Sequence, residues 1–151
     1  MIEDKTLAQI VDMINEDIKG LLQRVTYGHL GSSLNNRPYV VPIHYAYHEP
    51  HIYFFTTEGK KTEIISENPE VCLQVEDVMD TKHWQSVIVT GEAERLTDEK
   101  EIDRAMGFVM KVHPSLSPAW SIRWMDQWIR SNVEAVYRIS PVMITGRTTI
   151  R

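Results

Sequence analysis

The chain has 151 residues, 42% of them hydrophobic and 25% charged, which suits one domain and is too short for two. Its 16 Lys+Arg against 21 Asp+Glu leave a formal net charge of -5, which argues against a protein built to hold nucleic acid. The single Cys72 excludes an internal disulfide, no apolar run approaches the ~20 residues that span a bilayer, and no leader is apparent, so the expectation is a soluble, cytoplasmic, single globular domain with no membrane partner.

Leu7, Ile10, Val11, Ile14, Ile18, Leu21 and Leu22 recur at three- and four-residue steps, which predicts a helix starting near Thr6 and ending at Arg24. The segment from Val25 to Leu34 carries Gly28 and Gly31, as expected of a strand that another backbone approaches closely. Asn35-Asn36 is a tight-turn signal, because Asn tolerates positive φ. Arg37 to Tyr47 follows as one long strand, with Tyr39, Val41, Ile43, Tyr45 and Tyr47 on one face and Val40, Pro42, His44 and Ala46 on the other. A turn at 48–51 leads to a third strand, Ile52 to Thr57. Lys60 to Asn68 reads as a short helix stopped by Pro69. Strands at Val71–Val75 and His83–Leu96, a helix capped by Thr97, a further helix over Ala119–Arg130 and a strand from Val133 to Ile144 complete the chain. The prediction is mainly β: six antiparallel strands in sequential hairpins, closed into a small barrel with peripheral helices.

The most informative stretch for chemistry is 54–63. A strand ends in Thr56 and Thr57, turns at Gly59 and enters a helix whose first turn carries Lys60 and Lys61. Free N–H groups and the helix dipole attract anions there, whereas lysines are the wrong charge unless something negative binds. Thr56, Thr57, Lys60 and Lys61 are therefore a candidate phosphate site; the alternative is that Glu58 and Glu63 neutralise two solvated lysines. In 37–47 two prolines remove ladder donors, which places that strand at a sheet edge or a bulge. Its unpaired backbone groups could meet a flat heteroaromatic ligand, or it is an ordinary edge with a tyrosine-rich core face. His44, His48 and His51 have the wrong geometry for a metal on a strand, where 44 and 48 lie about 13 Å apart; His44 is kept as a pocket candidate. Cys72 reads as a buried, inert thiol. Gln85 or Ser86 could hydrogen-bond a bound ring. Trp120, Trp124 and Trp128 stack along one helix face and belong in the core or under a partner.

Taken together, Tyr27-Gly28-His29-Leu30-Gly31, the 37–45 stretch, Phe55-Thr56 with Gly59-Lys60-Lys61, Asn68 to Cys72, Trp84 to Val87 and Gly91 to Glu94 resemble the FMN-binding split-barrel flavoproteins related to pyridoxamine 5′-phosphate oxidase, and look most like the nitroimidazole-resistance, flavin-nucleotide-binding branch. The resemblance implies a six-stranded Greek-key split barrel that dimerises with FMN at the interface. It implies that Val41, Pro42, Ile43 and His44 run along the isoalloxazine ring, that Thr56, Lys60 and Lys61 hold the ribityl phosphate, and that Ser86 approaches the ribityl chain or ring. Partner-subunit residues, on the tryptophan helix or near Arg147, would complete the pocket. The Arg-x-His element of the true oxidases is absent from 137–141, which argues against vitamin B6 synthesis. The reading is a homodimeric FMN-dependent oxidoreductase for small electron-poor substrates; the alternative is a non-catalytic flavin or haem carrier or sensor.

Overall fold

The computed structural model describes residues 8–56, 58–112 and 135–150. Among these are eight strands and three helices: β1 (Ile10–Asp12), α1 (Asn15–Arg24), β2 (Tyr27–Leu34), β3 (Arg37–His44), β4 (Ala46–His48), β5 (His51–Thr56), α2 (Lys60–Glu67), β6 (Glu70–Asp80), β7 (His83–Arg95), α3 (Glu99–Val112) and β8 (Ala135–Thr149). All pairings are antiparallel, in the order β3-β2-β6-β7-β8-β5-β4, with β1 also on β8. The mainly-β expectation holds, but the sheet has eight strands instead of six and is not closed into a barrel.

The two additional strands have separate causes. Ile10 and Val11 carry helical spacing, yet they pair with Thr149 and Thr148 of β8. The ladder satisfies their backbone and overrides the local period, so α1 starts only at Asn15. Its apolar positions Ile18, Leu21 and Leu22 are buried as the spacing predicts. The long strand from Arg37 breaks at Tyr45, because β3 continues the hairpin with β2 while β4 pairs with β5. Tyr45 anchors the break: its ring is fully buried and its hydroxyl donates to the carbonyls of Leu22 and Val25. Burial pushes its pKa well above the usual phenol value.

Turn chemistry follows the residues. Asn35 and Asn36 have φ of 53° and 62°, joining β2 to β3 with Leu34 opposite Arg37. A Cβ on Gly28 would lie 2.7 Å from the Gln74 carbonyl oxygen, so close approach of β6 demands glycine there. α3 is capped by Asp98, whose Oδ2 accepts from Glu101 N–H at 3.2 Å, one residue later than the expected Thr97 cap.

One apolar cluster fills the space between the curled sheet and α1, built around Leu21, Leu22, Leu30, Phe54, Leu73, Val87, Val89 and Ile139. Burial of each such side chain stabilises by about 1.5–3 kcal/mol. A second cluster lies under α3, where Ala105 and Val109 meet Ala46, Tyr53 and Val136.

Candidate functional site

β5 is held along its length by β8, with Thr56 opposite Ala135, so the entry to α2 is fixed by sheet pairing. The turn is tied by Thr62, 2% exposed, whose Oγ1 accepts from Gly59 N–H at 2.9 Å and lies 3.1 Å from Glu58 Oε2. The other carboxylate oxygen, Glu58 Oε1, meets Arg95 at 2.5 Å. Glu58 is thus engaged by Arg95 and Thr62 and does not neutralise the lysines. Lys60 Nζ sits 5.3 Å from the centre of the Tyr39 ring, an attraction between ammonium and π-face. Lys61 is half-buried and makes no salt bridge among the described residues. Burial lowers its pKa with no carboxylate to oppose the shift. The α2 N-terminus therefore combines helix-end N–H groups with a desolvated cation, the charge arrangement an anion satisfies.

β3 ends the strand path, as its two prolines predict. Tyr45 N–H donates to Thr26 O at 3.0 Å, so the residues in phase with it, Ile43, Val41 and Tyr39, direct their backbone groups toward β2. Pro38, Val40, Pro42 and His44 direct theirs to the opposite edge. Between the two prolines Val40 supplies the one N–H on that edge, flanked by carbonyls. The side chains divide the other way: Ile43 is buried and Val41 packs on the core, while Pro42 and His44 are exposed.

Ser86 lies elsewhere. It is on β7, separated from β3 by β2 and β6, or about 14 Å at the usual strand spacing. Its Oγ accepts from Gln74 Nε2 at 3.1 Å, and its cross-strand neighbour on β8 is Arg147. The fold thus brings Lys60 to Tyr39 of β3, with Thr56 and Lys61 beside them in sequence, and keeps Ser86 apart on the outer sheet face. On that face Tyr27 contacts His29 and His44, with ring centroids 5.5 and 5.7 Å apart. His48 and His51 face one another across the β4–β5 turn. Cys72 is exposed, contrary to the expectation of a buried thiol, because Val71 and Leu73 take the inner face and leave it on the outer one. There Gly31, Val40, Cys72 and Thr90 line an open cavity of about 330 Å³. Thr57 and the three clustered tryptophans lie outside the described residues.

Tyr39, Arg95, Tyr27 and Gln74 were not singled out as site residues by the sequence. Arg95 is 37 positions from Glu58 and no local pattern links them; the others acquire partners only through sheet register.

Residues 15–148 match the family model described as pyridoxamine 5′-phosphate oxidase. An uncharacterised protein of Rhizobium meliloti is 32% identical over 84 residues, and the match spans 56% of each chain, little more than half the length of this curated relative. An FAD-binding protein from Mesorhizobium loti superposes with a TM-score of 0.76 at 26% identity, covering 92% of this chain and 97% of that one. A putative 5-nitroimidazole antibiotic resistance protein from Bacteroides thetaiotaomicron gives 0.73 at 18% identity, over 95% and 90%. A haem-binding protein from Mycobacterium smegmatis gives 0.67 at 10% identity, over 85% and 51%. The last two share the fold, and the architecture accommodates more than one cofactor. With the family model covering most of its length, the chain belongs to the pyridoxamine 5′-phosphate oxidase family.

Proposed function

We propose that the protein binds FMN as a homodimer and acts as an oxidoreductase on small, planar, electron-poor molecules, nitroaromatic compounds among them. One observation carries this reading: half-buried Lys61 lacks a carboxylate partner among the described residues at the α2 N-terminus, while adjacent Glu58 is paired with Arg95. A phosphate monoester supplies the missing charge. Thr56, Lys60 and Lys61 hold it, and Lys60 leaves or shares the face of Tyr39 to do so. The edge of β3, with Val41, Pro42, Ile43 and His44, lies along the flavin ring, where Val40 N–H and the flanking carbonyls meet heteroatoms at the ring's rim. Bound flavin supplies hydride and electron transfer; the chain's own residues bind and orient it.

The dimer is favoured by two features. Ser86 is three strands from β3 in its own chain, so it serves a flavin held at the junction of two chains. The outer sheet face also carries exposed Val40, Ile88, Val142 and Met143, the kind of apolar patch that marks an interaction surface.

The test is an absorption spectrum of the purified protein followed by FMN titration. FMN binds to the wild type, and the Lys60→Ala/Lys61→Ala double variant loses roughly two to four orders of magnitude in affinity, about 1.5–3 kcal/mol for each charged hydrogen bond removed. Equal FMN affinity of the two proteins overturns the phosphate assignment, and a Soret band in place of flavin absorption assigns haem instead. Steady turnover with a nicotinamide donor and a nitroaromatic acceptor separates an enzyme from a carrier.

A further inference from the structure

Five residues of the outer sheet face lie directly opposite one another in turn: Val40 of β3, Gly31 of β2, Cys72 of β6, Thr90 of β7 and Met143 of β8. The middle three are small and the end two are larger and exposed, so the row is low at its centre and walled at both ends. Gly31 opens the floor, since a Cβ there would lie 2.9 Å from Cys72 Sγ. The result is the open cavity of about 330 Å³, within the size range of small-molecule sites. Asn68 fixes one end of it: Nδ2 donates to the Ser33 carbonyl at 2.8 Å and Oδ1 accepts from Glu70 N–H at 3.2 Å, tying the end of β2 to the start of β6.

Negative charge gathers at that end. Glu70 lines the cavity and stands directly opposite Glu92 across the β6–β7 ladder, two residues from Cys72 and Thr90, or about 7 Å at the usual rise. Both side chains follow the outward phase of Cys72 and Thr90. Like charges directly opposite on one sheet face are destabilising, and neither carboxylate has an ion-pair partner among the described residues. Two carboxylates beside an apolar floor fall short of the roughly six oxygens a hard metal ion takes. The chemistry that complements both features is a positive head on a compact apolar body.

We propose that this cavity binds small arylalkyl ammonium ions, with Glu70 and Glu92 as the residues that select for positive charge. The ring rests on Gly31 and Cys72 between Val40 and Thr90, and the ammonium reaches the two carboxylates, whose mutual repulsion it relieves. Removal of apolar surface from water supplies the contact, while charge discriminates between ligands of one shape. The inference goes beyond the flavin reading and stands without it, because every residue it uses comes from one chain and none from the α2 N-terminus.

Three probes of matched shape test it: benzylammonium, benzyl alcohol and benzoate, each titrated at neutral pH into the isotope-labelled protein while backbone amides are followed by NMR. Benzylammonium shifts the Gly31, Cys72 and Thr90 amides and binds roughly tenfold more tightly than the alcohol, as two exposed ion pairs allow, with benzoate the weakest. Glu70→Gln/Glu92→Gln brings benzylammonium down to the affinity of the alcohol and leaves the alcohol unchanged. Cys72→Phe, whose ring would lie over Gly31, weakens benzylammonium and the alcohol together. The amide spectrum of each variant establishes that it is folded before comparison. Equal affinity for benzylammonium and benzyl alcohol, or an undiminished preference in the double Gln variant, overturns the proposal. So does the absence of shifts at the three amides, the result expected if a second copy of the chain fills the cavity.

Discussion

At the residue scale the two lysines of α2 differ in kind, although they are neighbours. Lys60 is exposed and spends its charge on the Tyr39 face, whereas Lys61 is half-buried and its charge is penalised by lost hydration. A lysine whose folded pKa is lowered destabilises the fold while it is charged, and the penalty is relieved only as pH rises through that lowered value. An anion bound beside it offsets the penalty. FMN affinity should accordingly fall as pH rises through the lowered pKa of Lys61, earlier than for an ordinary lysine. It should also fall below about pH 6, where a phosphate monoester loses its second charge. Fluorescence titration across pH checks this, with riboflavin, which has no phosphate, as control; identical profiles for the two ligands would show that Lys61 does not read the phosphate. The nature of the residues at this site was legible in the sequence, because a lysine pair at a helix start is electrostatically odd. That Glu58 turns to Arg95 was not, since the pairing depends on the end of β7 reaching the turn.

At the element scale, glycines show how far local rules reach. Gly20 lies inside α1, and a Cβ there would have nothing within 4 Å, whereas a Cβ on Gly28 would press on the Gln74 carbonyl at 2.7 Å. Gly20→Ala should stabilise by about 0.5–1 kcal/mol through helix propensity. Gly28→Ala should destabilise by about 1–3 kcal/mol, as overpacking does when the obstacle is backbone. Denaturant midpoints measure both, and opposite signs are the expected outcome. The turn at Asn35-Asn36, the edge character of β3 and the inward face of α1 were all readable, because each rests on dihedral preference, a missing donor or helical period. β1 was not: Ile10 and Val11 fit a helix locally and become strand only because the end of β8 offers a ladder. The split of β3 from β4 has the same origin, a change of partner at Tyr45.

At the scale of the whole molecule, the curled sheet buries one face and leaves the other bearing Val40, Cys72, Ile88, Val142 and Met143. Val142 and Met143 are 79% and 58% exposed, and Met143 lies across from Thr90, which lines the cavity together with Gly31 and Cys72. A two-fold dimer would use such a face twice, each copy offering its β8 residues to the other. Val142→Asp/Met143→Asp should yield monomers by light scattering with the fold intact, and FMN affinity should fall with the dimer; monomers that bind FMN as tightly as wild type would remove the second copy from the site. Among the described residues no helix is long and apolar enough to cross a membrane.

By itself the sequence determined the mainly-β class, the antiparallel hairpins, the helix faces and the chemical types at the α2 N-terminus, since periodicity, turn dihedrals and helix-end charge are local properties. The tertiary structure alone decided the eight-strand order, the open sheet, the exposure of Cys72, the pairing of Glu58 with Arg95 and the distance of Ser86 from β3. Each of these depends on which strand lies beside which, and pairing between distant segments is set by the joint burial of one core, not by any one stretch of residues.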